Sequence, residues 1–114
     1  MKYAALIYSK PGSHESLSED EYKDVFAEYM ALQNDPRTGD GAGLQGVETA
    51  TTVRVQDGQT LTTDGPYADT KEVFAGYFVL EAQNLDEAIE FAGRIPAARL
   101  GGAVEVRPVM EYPR

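Results

Sequence analysis

The 114 residues are 42% hydrophobic and 25% charged, which excludes wholesale disorder and fits one domain, residues 1–114. No cysteine is present, so disulfides, thiolate zinc sites and cysteine nucleophiles are all excluded. Ten basic residues against nineteen acidic ones give a net charge of -9, a field that opposes nucleic acid and anionic membrane as partners.

Lys2 to Tyr8 is a short apolar run ending in the turn cluster Ser9-Lys10-Pro11-Gly12. Its length predicts a strand, and both alternating sets, Tyr3/Ala5/Ile7 and Ala4/Leu6/Tyr8, are apolar, so both faces are expected to be covered. A run this short neither spans a membrane nor reads as a signal peptide, and a cytoplasmic location is expected. Ser18 and Glu21 have capping-box spacing and open a helix whose apolar face is Tyr22, Val25, Phe26, Tyr29 and Leu32. Asn34-Asp35-Pro36 ends it. Residues 36–46, rich in glycine, read as a loop.

Asp57-Gly58 between Thr51–Gln56 and Gln59–Thr63 predicts a two-residue hairpin pairing Val53 with Thr62 and Val55 with Thr60. Alternation then sets Asp64 on the Val53/Val55 face. Gly65-Pro66 turns the chain into the polar stretch 67–72. Val73 to Ala82 holds another strand apolar on both faces. Asn84 and Glu87 cap a second helix with the stripe Leu85, Ala88, Ile89, Ala92 and Ile95, stopped by Pro96. Val104 to Arg107 is the last strand.

Strands in pairs between two helices predict an α+β, ferredoxin-like protomer with an added β-hairpin. Two helices cover one sheet face only. The other face requires a cover, and a second copy of the chain, packed sheet to sheet, is the simplest one.

The stretch Asp64-Gly65-Pro66-Tyr67-Ala68-Asp69-Thr70-Lys71-Glu72 closely resembles the DGPFAETKE signature of the YCII-related (DGPF) family. The opening strand, Gly76-Tyr77-Phe78, and the segments Ile95–Arg99 and Val104–Pro108 resemble the family as well, so the likeness covers nearly the whole chain. It implies a dimeric α/β barrel. Members of the family mostly have no assigned activity, and several are encoded beside, or joined to, extracytoplasmic-function sigma factors, so a functional link to such a factor is expected. More distant relatives include a dehydrochlorinase acting on a chlorinated aromatic, and some are proposed to use a histidine–aspartate pair. That pair does not transfer: Leu100 stands where many relatives have histidine.

Two roles are open to Asp64: capping the Gly65-Pro66 turn through amides near Pro66–Ala68, or acting as a general base in a pocket. Lys71 and Arg99 offer cationic contacts to a small anionic ligand, or else Lys71–Glu72 tethers the loop and Arg99 binds the carbonyls ending the second helix. Tyr8 and Tyr67 are aromatic pocket candidates, whereas Tyr22 and Tyr29 belong to the helical core stripe. His14, beside Ser13 but without an orienting third group, is expected in solvent. One histidine and no cysteine oppose a metal site; Glu19, Asp20 and Glu21 suit the helix dipole instead. No cofactor motif is present. The expected function is a small-molecule-binding or regulatory module for a compact aromatic or carbonyl compound; the alternative is a cofactor-free lyase, isomerase or dehydrochlorinase-like enzyme using Asp64 as proton acceptor.

Overall fold

The computed structural model describes residues 1–112. Strand β1 (Lys2–Ser9) leads through a turn-rich loop into helix α1 (Glu19–Gln33). Ser18 caps α1 as its spacing predicts: its hydroxyl accepts from the Glu21 amide at 3.2 Å, and the Glu21 carboxylate accepts from the Ser18 amide at 3.0 Å. Next come β2 (Thr38–Gly43), a 3-10 turn at Val47–Thr49, and the hairpin β3 (Thr51–Gln56) and β4 (Gln59–Asp64). Strand β5 (Val73–Glu81), helix α2 (Leu85–Gly93), a 3-10 turn at Pro96–Ala98 and strand β6 (Ala103–Pro108) complete the chain.

Four strands form an antiparallel sheet in the order β2-β5-β1-β6. Strands β1 and β2 both run against β5, so they are parallel to each other and α1 is the crossover between them; α2 does the same for β5 and β6. This is the ferredoxin-like arrangement. The hairpin forms a separate two-stranded sheet.

Strand β2 corrects the reading of 36–46 as a loop. Its sequence, TGDGAG, has little strand propensity, but β5 presents an unpaired edge there, and close approach to that edge requires glycine. A Cβ on Gly41 would lie 2.9 Å from the Phe78 ring and from the Tyr77 carbonyl oxygen, and one on Gly76 would lie 2.5 Å from the Ala42 carbonyl oxygen.

The core lies between the sheet and the helices. Tyr3, Ala5 and Ile7 of β1 and Phe78 and Leu80 of β5 are buried against Leu32, Ala88, Phe91 and Ile95. Phe91 sits edge-on to Phe78 with ring centroids 5.7 Å apart, and the guanidinium groups of Arg37 and Arg94 lie over it at 5.5 and 5.9 Å. Of the expected α2 stripe Ala88, Ala92 and Ile95 are buried; it is corrected at its edge, where Phe91 is fully buried and Leu85 and Ile89 are exposed.

On the opposite sheet face, Ala4, Leu6, Tyr8, Tyr77 and Val79 are half-buried within the single chain. A register shift after Ile7 pairs Tyr8 with Phe74 and brings their rings to 5.6 Å on this face.

The hairpin adopts the expected register, Val53 opposite Thr62 and Val55 opposite Thr60, with positive φ at Asp57 and Gly58. It stands away from the body. Val53 and Val55 are 59% and 71% exposed, and the radius of gyration is 16.0 Å. A compact domain of this length has roughly 13 Å.

Candidate functional site

The residues singled out in the sequence do not converge. Asp64 pairs with Thr51, on the Val53/Val55 face as alternation requires, but that face is exposed rather than covered. The turn-capping bonds expected at its carboxylate are replaced by others: the Gly65 amide donates to the Ala50 carbonyl at 2.8 Å, and the Thr52 hydroxyl donates to the Gly65 carbonyl at 2.8 Å. Thr52, across the ladder, performs the closure that the sequence suggested for Asp64.

Tyr67 is 76% exposed, with the Arg54 guanidinium 5.0 Å from its ring centroid. Lys71 is exposed, and the loop is held instead by the Thr70 hydroxyl, which donates to the Glu72 carbonyl. Arg99 neither caps α2 nor faces a pocket: it forms an ion pair with Glu28 of α1. Tyr8 lies on the open sheet face against Phe74.

A cavity of about 610 Å³ lies elsewhere, between α1 and the β2–β5 half of the sheet. This volume is within the range of about 300–1,000 Å³ that small-molecule sites occupy. Ile7, Gly43, Gly76 and Phe78 line its floor, Tyr22, Phe26, Tyr29, Met30 and Gln33 its roof, and the loops Ser9–Glu15 and Leu44–Glu48 its sides. None of Tyr8, Asp64, Tyr67, Lys71 and Arg99 lines it.

The reason for the cavity is visible on α1. Its apolar face is wider than the sheet can fill: Val25 and Leu32 reach the core, but Tyr22 and Phe26 are 53% and 56% exposed and overhang the space. Below them the floor carries glycine at 43 and 76, and a Cβ on Gly43 would meet nothing within 4 Å. The expected core role of Tyr22 is therefore corrected to cavity lining, whereas Tyr29 packs against the core as expected and also borders the cavity.

His14 is the second correction. It is half-buried at the cavity wall, with Nδ1 3.0 Å from the Ser13 hydroxyl and Nε2 3.0 Å from the Tyr29 hydroxyl. Its ring stacks at a tilt on Tyr29, centroids 5.9 Å apart. Tyr29 is the orienting third group that the sequence did not reveal, because it lies fifteen residues away on α1. Burial pushes the Tyr29 phenol up, against the smaller opposing pulls of the Ala97 amide and the Arg99 charge, so it holds its proton at neutral pH. A three-member chain of exchangeable protons thus borders a largely apolar space. Small-molecule sites pair a predominantly apolar lining of this kind with a few placed polar groups.

The YCII-related domain matches residues 1–113 of this sequence. An uncharacterised protein of Rhizobium meliloti (strain 1021) is 33% identical over 117 residues, covering 98% of this chain and 94% of that protein. Among solved structures, 5-chloro-2-hydroxyhydroquinone dehydrochlorinase (TftG) from Burkholderia phenoliruptrix AC1100, in complex with 2,5-dihydroxybenzoquinone, is similar in fold. The TM-score is 0.57 at 19% identity, over 98% of this chain and 96% of that one.

Proposed function

The chain belongs to the YCII-related domain family, and on that premise we propose that it is a small-molecule-binding module, a cytoplasmic and cofactor-free homodimer. Its ligand is a compact aromatic or carbonyl compound held in the cavity beneath α1. The observation that carries this reading is the cavity itself: about 610 Å³, roofed by Tyr22, Phe26 and Met30 and bordered by an imidazole between two hydroxyls. The fold neighbour crystallised with 2,5-dihydroxybenzoquinone supports the choice of ligand size and shape. The half-buried apolar face of Ala4, Leu6, Tyr8, Tyr77 and Val79 supports sheet-to-sheet dimerisation, since burial of such a face is favourable. A regulatory link to an extracytoplasmic-function sigma factor belongs to the same proposal and rests on the family resemblance.

A second reading, a cofactor-free lyase or isomerase, is favoured by one observation: His14 has a proton-exchanging partner on each ring nitrogen at the cavity wall. In that reading the proton acceptor is His14 rather than Asp64, which does not line the cavity. Turnover of chlorinated phenols by the purified protein, lost in His14→Leu, favours it.

Calorimetric titration with hydroquinone, a compact ring that is uncharged at neutral pH, tests the binding reading. A Cβ at Gly43 meets nothing within 4 Å, so Gly43→Leu fills the cavity without a backbone clash. The expected result is saturable binding by the native chain and none by Gly43→Leu at an unchanged melting temperature. Absence of binding by the native chain, or equal binding by both, contradicts the proposal.

A further inference from the structure

Resting on the cavity reading above, we infer that the Tyr29 hydroxyl is the polar anchor of the site, that His14 is its positioning residue, and that the ligands are uncharged phenols. Three observations converge on this. The first is stoichiometric. A tyrosine hydroxyl has one donor and two acceptor positions, and the 3.0 Å bond to His14 Nε2 uses one of them. The Ala97 amide faces a second, which leaves one position at the wall of the cavity that Tyr29 lines.

The second concerns direction. The Ser13 hydroxyl at Nδ1 either donates or accepts, so His14 carries its proton on either ring nitrogen without losing a partner. When Nε2 accepts, Tyr29 spends its proton on His14 and offers its remaining lone pair to a ligand hydroxyl. When Nε2 donates, Tyr29 turns its own proton toward the ligand. A phenol oxygen, both donor and acceptor, is matched in either state. Serine, histidine and tyrosine therefore hold the anchor without fixing its polarity.

The third is electrostatic. The charged residues along the cavity are Lys10, Glu15 and Glu48, two acids against one base, in a chain of net charge -9. A carboxylate ligand meets this field and finds no guanidinium in the lining, whereas an uncharged ring oxygen needs only Tyr29. Around it, Phe26, Met30 and Phe78 supply the apolar contact that a ring requires.

Three probes of similar shape test the inference: p-cresol, p-xylene and 4-methylbenzoate, which differ in one substituent. The native chain is expected to bind p-cresol about tenfold more tightly than p-xylene, the upper scale of one net hydrogen bond, and 4-methylbenzoate more weakly than either. Tyr29→Phe brings the p-cresol to p-xylene ratio to about one while p-xylene affinity is retained. His14→Leu lowers the ratio several-fold, and His14→Gln, whose amide still bonds the phenol, restores part of it. Should Tyr29→Phe fail to fold, the His14 pair carries the test. A ratio unmoved by Tyr29→Phe, or by His14→Leu, overturns the inference, as does tighter binding of 4-methylbenzoate. If p-cresol and p-xylene bind the native chain equally and Gly43→Leu abolishes both, the cavity reading stands and the phenol anchor falls. If neither binds, both fall.

Discussion

Replacing Asp35 by asparagine removes the charge at the joint between α1, β2 and α2. One carboxylate oxygen accepts from the Arg37 amide at 2.8 Å and from Arg37 Nε at 3.0 Å; the other accepts from Arg37 Nη2 at 2.9 Å and Arg94 Nη2 at 3.3 Å. Asparagine keeps one acceptor oxygen but turns an NH₂ toward a guanidinium that has only donors. Two charge-assisted contacts are lost. Their arginine partners are partly exposed, so solvent screens the loss to about 1–2 kcal/mol, or about 4–8 °C in melting temperature. The pH dependence has a definite sign. The Arg37 guanidinium and amide hold the Asp35 carboxyl well below the usual carboxylate range. A depressed folded-state value means the stabilisation is complete above the unfolded pKa near 4 and is lost as pH falls through the lower folded value. Urea denaturation of both proteins at pH 7, 5 and 3 should show equal gaps at pH 7 and 5 and a smaller one at pH 3. A gap under about 0.3 kcal/mol at pH 7, or one undiminished at pH 3, refutes the assignment.

Phe91→Ala should cost about 3–5 kcal/mol in urea melts, because the ring is fully buried and two arginines and Phe78 pack on it. Gly76→Ala should destabilise by about 1–3 kcal/mol through its overlap with the Ala42 carbonyl, whereas Gly43→Ala, in open space, should stay within about 0.5 kcal/mol; equal effects would contradict the close β2–β5 approach. Asp64→Asn should change stability by less than about 0.5 kcal/mol, as expected for an exposed strand end, and a larger loss would mean its carboxylate is bonded after all.

Local chemistry made much of this fold legible. The Asp57-Gly58 turn set the hairpin register, and the Ser18–Glu21 pair set the start of α1, because both signals act within four residues. Strand β2 was illegible for the opposite reason: only the edge of β5, some forty residues later, makes a strand of a glycine-rich segment. Along α2, Leu85 and Ile89 satisfy the helical period without Phe91, whose burial is decided by Phe78 across the layer. At the site, alternation assigned Asp64 to the correct face, but nothing in a single hairpin tells that it stands clear of the body. His14 reads as solvated from the sequence because Tyr29 approaches it only once α1 folds back over the sheet. The available hint was the set of three aromatic residues, Tyr22, Phe26 and Tyr29, at helical spacing on α1.

The most direct test locates the ligand. Backbone amide chemical shifts, followed as hydroquinone is titrated into the ¹⁵N-labelled protein, distinguish the cavity from the signature loop. Saturating shifts should concentrate at His14, Phe26, Tyr29, Gly43, Leu44 and Gly76, which line the cavity, and leave Asp64 to Lys71 unmoved. Shifts concentrated at Asp64, Tyr67 and Lys71, with the cavity residues silent, would contradict it.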